Sequence, residues 1–197
     1  LNNRKLPIPR GRVLGGSSSI NGMFYMRGHS LDFDTWRQMG CEGWSYADVL
    51  PYFRRMETSW RGEGPYHGGS GPLHVAANQT GHLLHQPLME AAEASGFHTT
   101  DDLHGEVEEG FARGELTIDP RGHRASTSRA YLTPALKRPN LHVVTDALTR
   151  RVLIEGRRAV GVEYEREGKV ETVRAAREVI LSGGSYNSPQ LLMLSGI

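Results

Sequence analysis

The run from Gly11 to Asp34, GRVLGGSSSINGMFYMRGHSLDFD, sets two adjacent glycines, three serines and an asparagine where a packed core has no use for them. Gly15 and Gly16 carry no side chains, so their backbone tolerates unusual dihedral angles and the close approach of a flat or charged ligand. The N–H groups that follow, with the Ser17, Ser18 and Ser19 hydroxyls, are donors for such a ligand. Two readings stand at this point, a ligand loop and a plain Gly-Ser turn. No Lys precedes the hydroxyl residues, so the run is not a nucleotide-triphosphate P-loop.

Composition narrows the function classes. Over 197 residues, 38% are hydrophobic and 23% charged, which is ordinary for a globular chain. Lysine and arginine number 23 against 22 acidic residues, so a net charge of +1 provides no general attraction for nucleic acid or an anionic membrane. Cys41 is the single cysteine; it excludes an internal disulfide, fits a reducing, cytoplasmic setting and reads as a small packing residue. No apolar run approaches the roughly 20 residues of a membrane-spanning helix, and peripheral membrane attachment stays open. His82 and His85 share a predicted helix face, but no carboxylate or cysteine at ligand spacing completes a zinc site, so no metal is expected.

Local patterns place the elements. Ser45 with Asp48 predicts a capped helix start, and Pro51 predicts that this helix splits or kinks, giving two short pieces. Trp60 to Gly81, rich in glycine and proline, reads as an irregular loop. Pro87 in a first turn, apolar Leu88, Ala91 and Ala92, and Gly96 as C-terminal cap predict a helix. A second helix is predicted to open at Ser126 and stop before Pro134. From His142 to Arg174 the pattern alternates, with turns at Gly156 and Gly168, which predicts a three-stranded antiparallel meander. Val179, Ile180 and Leu181 predict a short buried strand, and Asn187 or Ser188 a cap for a helix with Pro189 in its first turn.

The opening run resembles the first signature of the glucose–methanol–choline (GMC) family of flavin-dependent oxidoreductases, through Gly11-Arg12, Leu14, Gly15-Gly16, Ser17-Ser18, Ile20-Asn21, Tyr25, Gly28 and Asp34. The closing run, Gly184-Ser185, Ser188-Pro189, Leu191-Leu192 and Ser195-Gly196-Ile197, resembles the second signature up to its last residue. Segments such as Gly43-Trp44-Ser45-Tyr46, Ala130-Tyr131-Leu132 and Arg138-Pro139-Asn140-Leu141 are similar to the sequence between them. The resemblance therefore spans the whole chain and is closest to bacterial choline-dehydrogenase-like members.

The resemblance implies an α/β fold: a partial, Rossmann-like FAD-binding domain with a small antiparallel meander and irregular helical segments. Residues 1–34 would form the flavin-binding loop, 35–140 a helical and loop insertion, and 141–197 the meander and the return to the FAD-binding sheet. It implies cofactor contacts at Val13, Gly15, Gly16, Ser17, Asn21, Gly22, Met23 and Phe24, with Thr149 and Gly183 further along. Ile20 stands where some members carry the histidine that bonds to flavin, so non-covalent FAD is expected. The implied reaction moves hydride from the CH–OH group of a small-molecule alcohol to flavin, with choline one candidate. Tyr25, Trp36, Trp44, Tyr46 and Trp60 are available for a cage around its cation, or for ordinary packing. The electron acceptor is left open. A redox-neutral lyase on the same fold and an inactive truncated flavin module are the alternatives. The chain starts at Leu1 and stops inside a motif, so it reads as an internal piece, inactive alone, with the phosphate-binding glycines before it and the catalytic histidine pair after it. No residue within it is given a catalytic role.

Overall fold

The computed structural model describes residues 2–78 and 83–197, which fall into two compact units, Leu1–Leu141 and His142–Ile197. In the first, a 3-10 turn over Gly16–Ser19 is followed by β1 (Phe24–Tyr25), α1 (Ser30–Gln38), α2 (Tyr46–Met56), β2 (Glu57–Ser59), β3 (Leu73–Ala77), α3 (His85–Ala94), β4 (Glu115–Leu116) and α4 (Thr133–Ala135). The strands form one sheet in the order β1-β4-β3-β2, with β3 and β2 parallel and the other pairs antiparallel. Strand β3 lies inside the stretch that glycine and proline had marked as loop: LHVAA is a break in that composition, and β2 and β4 flank it.

The cap at Ser45 forms as expected. Its Oγ accepts from Asp48 N at 3.3 Å while the Asp48 carboxylate accepts from Ser45 N at 3.1 Å. Pro51 does not split the helix, contrary to the sequence expectation. It sits exposed, so the Ala47 carbonyl deprived of its N–H partner faces solvent, while Val49 and Phe53 pack on the other side, Phe53 edge-on to Phe33 of α1 at 5.7 Å. Signature residues support this packing. A Cβ at Gly28 would sit 3.0 Å from the Phe33 ring, and Asp34 accepts from Tyr46 N at 2.9 Å.

Helix α3 ends as its sequence predicts, with Gly96 at φ 81°. The Ser126 segment does not stop before Pro134. Ser128–Leu132 is a π-turn running directly into α4, which takes Pro134 in its first turn, where a missing N–H costs nothing. Cys41 is exposed beyond α1 and packs no core. His82 lies outside the described residues.

The second unit is the predicted meander, β5 (Leu148–Glu155), β6 (Arg158–Arg166) and β7 (Lys169–Arg174), followed by α5 (Gly184–Leu194). Gly161 is required there, because a Cβ would fall 2.3 Å from the Val173 carbonyl oxygen. Val179–Leu181 forms no strand, and Ile180 is 77% exposed. An extended segment becomes a strand only beside a ladder partner, and among the described residues none pairs with it. Helix α5 opens earlier than predicted, at Gly184, and Ser188 from inside the helix accepts the Gly183 N–H at 3.0 Å. Among the described residues no helix is long and apolar enough to cross a membrane.

Candidate functional site

The Val13–Phe24 loop is shaped first by its own hydroxyls. Gly15 and Gly16 take φ values of 91° and 54°, the left-handed region, and Gly16 N closes a turn onto Val13 O at 2.8 Å. Ser18 Oγ donates to Gly15 O at 2.5 Å, Ser19 Oγ donates to Leu14 O at 2.9 Å, and Ser17 Oγ accepts from Gly11 N at 3.2 Å. The Ser18 and Ser19 hydroxyls, read from sequence as ligand donors, are thus spent on the loop's own backbone.

A second segment, about a hundred residues on, holds this loop from outside. Thr127 N donates to Ser18 Oγ at 2.9 Å and Thr127 Oγ1 to Gly15 O at 3.2 Å. Arg124 Nη1 lies 2.6 Å from Asn21 O, 2.8 Å from Asn21 Oδ1 and 3.2 Å from Ser18 O. Asn21 Oδ1 also accepts from Met23 N at 3.0 Å, and Thr117 N donates to Met23 O at 2.8 Å. These bonds hold Met23 at φ 63°, a conformation that costs a side-chain-bearing residue about 1 kcal/mol. The turn presenting Arg124 is braced by the Asp119 carboxylate. Asp119 Oδ1 accepts from His123 N and Arg121 N, both at 2.9 Å, and with Arg129 at 3.0 Å these donors bring its carboxyl down to about 2. Sequence reading passed over Arg124, Thr127 and Thr117; the one trace is that Ser126-Thr127-Ser128 is a hydroxyl run like Ser17-Ser18-Ser19.

The other side of the loop is open. Among the described residues nothing lies within 4 Å of the positions a Cβ would take at Gly16 and Gly22, while Val13, Ile20 and Phe24 expose apolar side chains. Asn21 is exposed, and among the described residues nothing accepts from its Nδ2. A flat ligand with apolar faces and hydrogen-bonding edges matches this surface.

Past Phe24 the chain enters a buried ionic cluster that the sequence does not announce. Glu57, the most buried large side chain, has 0% exposure. It accepts from Tyr25 Oη at 2.6 Å and Gly68 N at 3.1 Å, and it faces Arg27 Nη2 at 2.9 Å and His67 Nδ1 at 3.1 Å. Burial pushes its carboxyl up, but the bonds from His67 and Tyr25 and the Arg27 charge overcome this and bring it to about 2. His67 Nε2 faces Asp102 Oδ2 at 2.8 Å, and with a carboxylate at each nitrogen the ring's pKa is raised, the Glu57 bond being the main cause. His104 Nε2 accepts from Arg27 N at 3.2 Å, so its proton is on Nδ1, donating to Glu115 at 3.2 Å. Glu115 also receives Trp60 Nε1 at 2.6 Å and Arg61 Nε at 3.1 Å. Among the described residues no group of three His, Cys, Asp or Glu is placed to hold a metal.

The candidate cage residues divide between these surroundings. Tyr25 and Trp60 bond to the buried carboxylates, whereas Trp36 stacks edge-on with Trp44 at 5.7 Å and with Phe33 at 5.4 Å, and Tyr46 lies against Phe33. Of the predicted cofactor residues, Val13, Gly15, Gly16, Ser17, Asn21, Gly22, Met23 and Phe24 share the loop of the first unit. Thr149, exposed on β5 opposite Tyr164, and Gly183, preceding α5, belong to the second unit.

The first unit joins a hydrogen-bonded glycine-serine loop to a four-stranded sheet with helices, and the second is a three-stranded meander followed by a helix, a mixed α/β architecture whose exposed loop is the candidate ligand site. The family model for GMC oxidoreductases matches residues 1–197, and the chain belongs to that family. It is 54% identical over all its 197 residues to the oxygen-dependent choline dehydrogenase of Sinorhizobium fredii, and 55% identical to that of Rhizobium etli. In each case it spans 36% of the relative's length. Among solved structures it superposes with a TM-score of 0.91 on an FAD-dependent oxidoreductase from Chaetomium thermophilum, at 30% identity over all of this chain and 36% of that one. A pyridoxine 4-oxidase from Mesorbium loti gives 0.86, at 32% identity over 95% of this chain and 37% of that one.

Proposed function

We propose that the complete protein binds FAD non-covalently against the Val13–Phe24 loop and oxidises the CH–OH group of a small-molecule alcohol, with choline the first substrate to test. The observation that carries this is the loop's open face, where Gly16 and Gly22 clear the backbone and Val13, Ile20 and Phe24 offer apolar contact. FAD, when bound, supplies the hydride acceptor. The chain's part is binding and orientation: Gly16 and Gly22 admit the ring to the backbone, Gly15, whose Cβ would fall 2.5 Å from Ser19 Oγ, shapes the turn that presents them, Ser17 and Asn21 present polar groups, and Met23 and Phe24 complete the loop. Ile20 has no nucleophilic atom, which supports a cofactor held without a covalent bond. Thr149 and Gly183 as contacts rest on family resemblance alone. Choline and oxygen are named for the Sinorhizobium and Rhizobium relatives, and for this protein they are the first substrate and acceptor to try.

The test uses the complete protein. It is expected to purify yellow, to bleach on anaerobic addition of choline, and to release FAD into the supernatant when denatured. A colourless protein overturns the cofactor assignment, flavin retained on denatured polypeptide overturns the non-covalent mode, and a flavin that choline leaves oxidised overturns the substrate.

A further inference from the structure

We infer that Arg124 is a positioning residue for the flavin loop, fixing which edge of Asn21 faces the cofactor and placing an unpaired positive charge behind it; this rests on the FAD reading above. All three contacts of Arg124 with the loop converge on one nitrogen, Nη1, which meets Ser18 O, Asn21 O and Asn21 Oδ1. The contact to Oδ1 decides the orientation of the carboxamide. With its oxygen turned inward to Arg124 and Met23 N, the Asn21 NH2 group points away from the protein as a pair of donors. An asparagine held by one partner turns over freely, whereas this one is gripped by two donors on the same oxygen.

The charge argument is independent of that orientation. Arg124 is half-buried and, among the described residues, has no ion pair with a carboxylate; its recorded partners are the oxygens of Ser18 and Asn21. A guanidinium left without a counter-ion beside a ligand surface favours a ligand that gains negative charge, which flavin does on reduction. Arg124 therefore raises both FAD affinity and the flavin's reduction potential. Charge-assisted hydrogen bonds of this kind change an equilibrium by about tenfold or more.

The experiment compares wild type, Arg124→Lys and Arg124→Met in the complete protein. FAD affinity is measured by titrating the apoprotein, reduction potential by equilibration with redox dyes, and hydrogen exchange at residues 18–24 on the apoprotein. Arg124→Met is expected to bind FAD about tenfold or more weakly, to lower the potential and to speed exchange at Met23 N–H. Arg124→Lys keeps the charge and three donors on one nitrogen, so it is expected to recover part of all three. Wild-type affinity and potential in Arg124→Met, or weakened binding with unchanged exchange at 18–24, overturns the assignment. Should Arg124→Met not fold, Arg124→Gln, which removes the charge, decides: weakened FAD binding and a lowered potential support the role, and wild-type values in every readout overturn it. A wild-type protein that takes up no FAD sinks the flavin reading instead, and the exchange comparison still decides whether Arg124 holds the loop.

Discussion

The Tyr25 hydroxyl donates to Glu57 Oε2 at 2.6 Å, joining β1, at the end of the Val13–Phe24 loop, to β2 on the opposite edge of the sheet. Burial raises the phenol's pKa, and the carboxylate beside it adds to this against the pull of Arg27, so Tyr25 stays a donor throughout the accessible pH range. Tyr25→Phe leaves Glu57 Oε2 short of a partner in a site without water access. It is expected to lower stability by about 1–3 kcal/mol in denaturant melts. Glu57→Ala strands Arg27 and His67 together and is expected to cost about 3–5 kcal/mol. Equal effects from the two substitutions would contradict this hierarchy.

The same cluster sets a pH window. Glu57 falls from the ordinary 4.5 to about 2 in the folded protein, so its stabilisation is complete above 4.5 and is lost as pH falls through about 2. His67 is raised above 6.5, so its contribution is complete below 6.5 and is lost as pH rises through the folded value. Thermal melts across pH should therefore show an acid limb that Glu57→Gln flattens and an alkaline limb that His67→Gln flattens. An alkaline limb unchanged in His67→Gln would mean the bridge between Glu57 and Asp102 contributes nothing.

In the second unit one hydroxyl docks α5. Ser195 Oγ accepts the N–H of Val152, a buried β5 residue, at 2.8 Å and donates to Leu191 O at 2.6 Å. Ser195→Ala leaves the Val152 N–H without a partner and is expected to cost about 1–3 kcal/mol. Ser195→Thr keeps the hydroxyl and should recover most of it. Hydrogen exchange at Val152 provides the direct readout, faster in the alanine variant.

Features written within a few neighbouring residues were legible in the sequence. Ser45 and Asp48 are three apart, Gly96 follows its helix directly, and Gly156 and Gly168 sit in the turns they mark. Relationships across the chain were not. Arg124 and Asn21 are 103 positions apart, and nothing in the local sequence marks Glu57, His67 and Glu115 as buried or brings the half-buried Asp102 to His67. Val179–Leu181 failed for a related reason, since apolar content states a need for burial without naming the strand that meets it. Pro51 and Pro134 failed because breaking a helix depends on whether the freed carbonyl can find water or a turn, which a single residue does not encode.

Gly22 separates a folding requirement from a binding one. Its φ is not in the left-handed region, and a Cβ there would meet nothing within 4 Å, so Gly22→Ala is expected to leave the melting temperature of the apoprotein essentially unchanged. Gly11 is the contrast. Its Cβ would fall 2.2 Å from Gly16 O, a backbone atom that cannot move without opening the turn, so Gly11→Ala is expected to destabilise the apoprotein and loosen the loop. If flavin lies on the open face, the methyl of Gly22→Ala meets the ring, and FAD affinity falls while apoprotein stability does not. Titrating both apoproteins with FAD after matching their melts gives the comparison. Undiminished affinity in Gly22→Ala would place the cofactor elsewhere, because among the described residues nothing fills the space that the new methyl would take.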